Sequence, residues 1–125
     1  MATSSYVGID VSKGKLDIAV LGKKDVWQVD NTSQGIACLV QQMKDWQPEL
    51  IVVEATGGYQ RAVVETLFHA GLSVAVVNPA RVRQFARASG LLAKTDKLDA
   101  FVLAAYGKTM QPRRYAGKTE AEKQS

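Results

Sequence analysis

The chain has 125 residues, 46% of them hydrophobic, which suits one globular domain with a real core. No run approaches the roughly 20 apolar residues of a membrane span, the start lacks the blocks of a signal peptide, and the single cysteine excludes an intrachain disulfide. The net charge of +4 permits nucleic-acid binding without demanding it, and the cysteine usage points to a reducing cytoplasm.

From the N-terminus, residues 6–11 alternate, with Val7, Ile9 and Val11 on one side and Gly8 and Asp10 on the other. Ser12-Lys13-Gly14 is a short turn. Leu16, Ile18 and Val20 then form the return strand of a hairpin, and residues 25–30 a third strand. Ile36, Leu39, Val40, Met43 and Trp46 follow helical spacing behind the capping candidates Asn31, Thr32 and Ser33, and Pro48 closes the helix. Cys38 lies beside that stripe and reads as inert packing. Residues 50–54, "LIVVE", form a continuous apolar run, as expected of a strand covered on both faces.

Gly57-Gly58 turns the chain into a helix through Tyr59, Val63, Leu67 and Ala70, with Gly71 as the stop. "LSVAVV" is another buried strand. Asn78-Pro79 opens a helix running to about Gly90, and Thr95 caps a last helix with the core stripe Leu98, Phe101, Val102 and Ala105. The order is β-β-β-α-β-α-β-α-α. It predicts an α/β fold with a mixed five-stranded sheet and helices on both faces, the element order of the RNase H-like fold. Residues 1–107 make the domain. Residues 108–125 are polar and read as a tail or the root of a linker.

In that fold the first and fourth strands are neighbours, which brings Asp10 next to Glu54. Asp96 and Asp99 are three apart, so a helix starting near Thr95 carries both on one face. Singly, each acid has an ordinary role: a strand acid paired with a cation, a strand end, a helix cap. Together, four converging carboxylates repel unless a divalent cation compensates them, and Mg²⁺ prefers such oxygen ligands. Two such ions can activate a nucleophile and stabilise a leaving oxygen in phosphodiester chemistry. Arg83 and Arg87 lie four apart opposite the stripe of Val82, Phe85 and Ala86. With Lys94 they are either a solvated face or phosphate contacts. His69, the sole histidine, reads as a surface or capping residue.

The blocks "GIDVSKGKLDIAV", "VEATGGY", "VVNPARVRQFARASG" and "AKTDKLDA" resemble the N-terminal domain of the DEDD transposases, the insertion-sequence 110 family, related to the pilin-gene invertases. The letters DEDD fall on Asp10, Glu54, Asp96 and Asp99. The resemblance implies a RuvC-like, RNase H-type fold and a catalytic site in which those acids hold Mg²⁺, with Mn²⁺ as a substitute. It also implies RNA-guided DNA recombination, by which an insertion sequence moves or inverts DNA, in the cytoplasm of a bacterium or archaeon. The partners it implies are DNA, a structured non-coding guide RNA, and further copies of the chain in dimers and tetramers, with no membrane. A C-terminal domain supplies a serine nucleophile in that family. The chain stops at Ser125, before such a domain, so it is expected to be a piece of a longer protein, inactive alone. The alternatives are a stand-alone Holliday-junction resolvase, an actin-like ATPase domain, for which Ser12-Lys13-Gly14 is a poor phosphate turn, and a non-catalytic nucleic-acid-binding module.

Overall fold

The structure, a computed structural model, describes residues 5–23, 26–55, 57–91 and 99–117. Its elements are β1 (Tyr6–Val11), β2 (Lys15–Val20), β3 (Val26–Asp30), α1 (Ser33–Trp46), β4 (Leu50–Glu54), α2 (Arg61–His69), β5 (Val74–Val77), α3 (Pro79–Ala88) and α4 (Ala100–Met110). The sheet order is β3-β2-β1-β4-β5. The hairpin strands pair antiparallel, and β4 runs parallel to both β1 and β5. This is the RNase H-like arrangement expected from the element order.

Period-2 alternation divides the interior into two cores. Val7, Ile9, Val11, Ile51 and Val53 pack with Ile36, Leu39 and Met43 of α1 and Val63 and Leu67 of α2. Leu50, Val52, Ala75 and Val77 pack on the other face with Val82 and Ala86 of α3 and Leu103 and Tyr106 of α4. Both faces of β4 are therefore covered, which is why "LIVVE" carries no polar residue until its last position. Thr32 caps α1 by accepting from the Gly35 amide at 3.1 Å. Asn78 caps α3 by accepting from the Ala80 amide at 2.7 Å, with Pro79 at the first helical position.

Four local expectations are corrected. The last helix starts at Ala100 behind an extended Asp99, not behind Thr95, which lies with Leu98 outside the described residues. Of the expected stripe, Val102 is buried as expected, whereas Phe101 is 39% exposed, and Ala100, Leu103, Ala104, Tyr106 and Gly107 complete the buried side. Ala100 and Ala104 face Gly8 because α4 lies almost against the backbone of β1 there, too close for a side chain the size of Phe101. Tyr59 and Cys38 are exposed rather than packed; Tyr59 precedes α2 instead of joining it.

The expected boundary at residue 107 falls inside α4, and the chain beyond it returns to the domain. The Tyr115 amide donates to the Val74 carbonyl at 2.6 Å, and its ring meets Phe68 edge-on at 5.2 Å. Its hydroxyl hydrogen-bonds Glu65, and Arg114 pairs with Glu49 at 3.5 Å. A single tyrosine with a polar partner for its hydroxyl is enough to seat an otherwise polar segment.

Candidate active site

Asp10 is the next-to-last residue of β1 and Glu54 the last of β4. The parallel register ends with Ile9 opposite Val53, so Asp10 and Glu54 come next in line on the face covered by α3 and α4. Burial pushes the Glu54 carboxyl above its ordinary range, the Asp10 charge pushes it further, and the Arg83 guanidinium partly offsets both.

Arg83 is thus half-buried and electrostatically tied to Glu54, not simply part of a solvated face, while Arg87 is exposed. The cause is topological. β5 and β4 are parallel neighbours, so the helix leaving β5 starts at the Glu54 end of the sheet. Lys94 lies outside the described residues. His69 is on the surface, 3.4 Å from Glu65, as expected.

The carboxylate Oδ1 of Asp99 accepts from the Val102 amide at 2.9 Å and caps α4. Asp99 also lines a small cavity of about 140 Å³ together with Asp10 and Asp17. Asp99 does not share a helix face with Asp96, because it has extended backbone and precedes the helix. Asp96 lies outside the described residues. Among the described residues, no three His, Cys, Asp or Glu side chains are grouped so as to hold a metal ion.

Asp17 was absent from the sequence-derived site. It sits directly opposite Asp10 in the antiparallel register, and Gln28 donates to its Oδ1 at 2.7 Å. The signal was present in the hairpin: a turn at residues 12–14 pairs Val11 with Leu16, and hence Asp10 with Asp17. Asp10 therefore has a carboxylate on each neighbouring strand, Asp17 on β2 and Glu54 on β4. Oxygen ligands of this kind are those a hard divalent cation takes, and such a cation would offset the Asp10 charge that adds to the effect of burial on Glu54.

The Glu54 shift has a testable sign. A carboxyl whose proton is held more tightly in the folded state costs stability as pH rises from the ordinary glutamate value, 4.5, through its raised folded value. Glu54→Gln is expected to lose that falling limb and to match or slightly exceed the parent near neutrality without metal. Urea denaturation across pH checks this. A Gln variant less stable at neutral pH, with the limb intact, would show that Glu54 is not strained.

The family model for transposases of the DEDD IS110 type matches residues 7–124. Pilin gene-inverting proteins of Moraxella lacunata and Moraxella bovis are each 28% identical over 127 aligned residues, which cover 96% of this chain. The chain spans 39% of the length of those relatives. Among solved structures, Thermus thermophilus RuvC in complex with a Holliday junction substrate superposes with a TM-score of 0.64 at 18% identity, covering 90% of this chain and 100% of that one. A second Thermus thermophilus RuvC structure gives 0.51 at 20% identity, covering 93% and 84%. These likenesses carry the fold. Among the described residues no helix is long and apolar enough to cross a membrane. With its RNase H-like, RuvC-type sheet and a family match across almost its whole length, the chain belongs to the IS110-type DEDD transposases.

Proposed function

We propose that this domain is the metal-dependent half of a DNA recombinase, and that Asp10, Glu54, Asp96 and Asp99 hold Mg²⁺, with Mn²⁺ as a substitute. The observation that carries this is Asp10 beside Glu54 at the ends of two parallel strands, on the face whose helix Asp99 caps, in a chain of this family. The bound ion would neutralise charge building on a phosphodiester under attack. The chain's own work is to hold the acids in register. β1 and β4 fix Asp10 and Glu54, the α4 cap fixes Asp99, and Arg83 counters the excess negative charge at Glu54.

The finer reading follows the family resemblance. A structured RNA guides strand choice, a serine from a C-terminal domain is the nucleophile, and copies of the full-length protein assemble as dimers or tetramers in a bacterial or archaeal cytoplasm. The greater length of the pilin gene-inverting relatives supports a further domain. Arg83, Arg87 and Lys94 then contact phosphates of the bound nucleic acid. The resolvase reading rests on fold likeness alone, whereas the transposase reading has the family match behind it.

The test compares two preparations on DNA carrying the target sites, with the matching guide RNA and Mg²⁺. Residues 1–125 alone are expected to give no strand exchange. The same residues continued by the serine-bearing domain are expected to give it. Exchange by residues 1–125 alone would overturn the composite site.

A further inference from the structure

We propose that a pocket between β3 and α1, on the opposite face of the sheet from the acids, binds one unpaired nucleobase of a single-stranded nucleic acid. The pocket holds about 350 Å³ and is lined by Val20, Lys23, Trp27, Gln42, Asp45 and Trp46. It contains both tryptophans of the chain. Their rings meet edge to face, with centroids 5.4 Å apart and an interplanar angle of 86°. The Trp27 indole N–H donates to Gln42 Oε1 at 3.1 Å, which fixes that ring and turns the Gln42 amide NH₂ away from it.

Trp46 is the residue that calls for a ligand. It ends α1, beyond the buried Met43, and stays 43% exposed beside the void. An indole that merely closes a core has its faces covered by apolar neighbours. Here the cover is Lys23, whose Nζ stands 5.0 Å from the ring centroid. An ammonium on a flexible stem is a displaceable lid. A base stacking in its place keeps the ring covered and frees the ammonium for the adjoining phosphate. Asp45, on the same helix, accepts from a base amino group and repels phosphate. The cation and the acid thus orient a nucleotide, with phosphate toward Lys23 and base toward Asp45. A duplex cannot use the pocket, because its bases are stacked on each other.

The topology separates this pocket from Asp10 and Glu54. It lies on the α1 face of the sheet, whereas the acids lie on the α4 face, where Val26 at the start of β3 joins Asp10, Asp17 and Asp99 around the small cavity. The proposal therefore does not rest on the metal-site reading, and Asp10→Asn is expected to leave it intact.

Because the only tryptophans line the pocket, tryptophan emission, excited where the four tyrosines do not absorb, reports on it. Short single-stranded RNA and DNA oligomers are expected to quench that emission, and the same DNA as duplex to leave it nearly unchanged. Trp46→Ala should weaken binding of a labelled oligomer, read by anisotropy, by about tenfold or more. Trp46→Phe should retain most of the affinity, which guards against a folding defect, and thermal melts check both variants. Lys23→Ala should reduce the dependence of log affinity on log salt by about 0.7. Tighter binding of RNA than DNA identifies RNA as the source of the base, and the reverse identifies DNA. Unchanged emission with every single strand, equal quenching by duplex, or parent affinity in folded Trp46→Ala overturns the proposal.

Discussion

Gly8→Ala is expected to lower the melting temperature by about 10 °C or more, while Gly14→Ala changes it by no more than a degree or two. A Cβ at Gly8 would lie 1.9 Å from the Ala100 carbonyl oxygen, 2.7 Å from the Ala104 amide nitrogen and 2.9 Å from the Ala100 carbonyl carbon. All three are backbone atoms of α4, so no side-chain rotation relieves the clash, and the helix must lift from the sheet. Overpacking a close-packed core costs about 1–3 kcal/mol, and a clash with backbone belongs at the top of that range. At roughly 4 °C per kcal/mol for a domain of this size, the shift exceeds 10 °C. A Cβ at Gly14 meets nothing within 4 Å. The damage should also reach the site, because Ala100 follows Asp99 directly and Asp99 caps the same turn. Melting within 2 °C of the parent would mean that α4 is not seated on β1 as described.

Gly8 also shows what the sequence could and could not reveal. Its side of β1 was legible, since alternation places it with Asp10. The helix laid across it was not, because hydrophobic size does not mark the side of α4 that lies on Gly8. Size selects Phe101; the close approach selects Ala100, Ala104 and Gly107. The sheet itself was legible for a simpler reason. Each strand carries a full period-2 or all-apolar signature, and the two-sided cover of β4 is written in "LIVVE".

The candidate site was half legible. Asp10 and Glu54 follow from strand order alone, and the register places them. Asp17 needed the register of the hairpin as well as its existence. Asp99 was found, but with the wrong local structure. A carboxylate at an N-cap and one inside a first turn satisfy the same helix dipole, so the sequence does not distinguish them. Arg83 was assigned by helix spacing to the side away from the core, a side that includes the edge turned toward Glu54.

Asp10→Asn is expected to leave the metal-free domain as stable as the parent, or more stable, and to remove most of the stabilisation that Mg²⁺ gives. The first part follows from the neighbours of Asp10. Asp17 stands opposite it on β2, and Glu54 stands beside it on β4, its carboxyl pushed above the ordinary range by burial and by the Asp10 charge. Asparagine keeps the shape and removes one of the like charges, so the usual cost of a change in a strand is offset. The second part is mass action. An ion that binds only the folded state contributes about 2.7 kcal/mol at a hundred times its dissociation constant. For the parent that is a rise of about 10 °C. With Asp10 a ligand, as proposed, the variant lacks one, so the same Mg²⁺ concentration should give only a small part of that rise. Melts with and without Mg²⁺ or Mn²⁺, at constant ionic strength so that screening does not differ, read both parts. Equal metal shifts in the two proteins would remove Asp10 from the ligand set. A metal-free variant clearly less stable than the parent would mean that Asp10 is held by a structural partner whose loss outweighs the relief of repulsion. The strand carboxylate would then serve the fold rather than the chemistry.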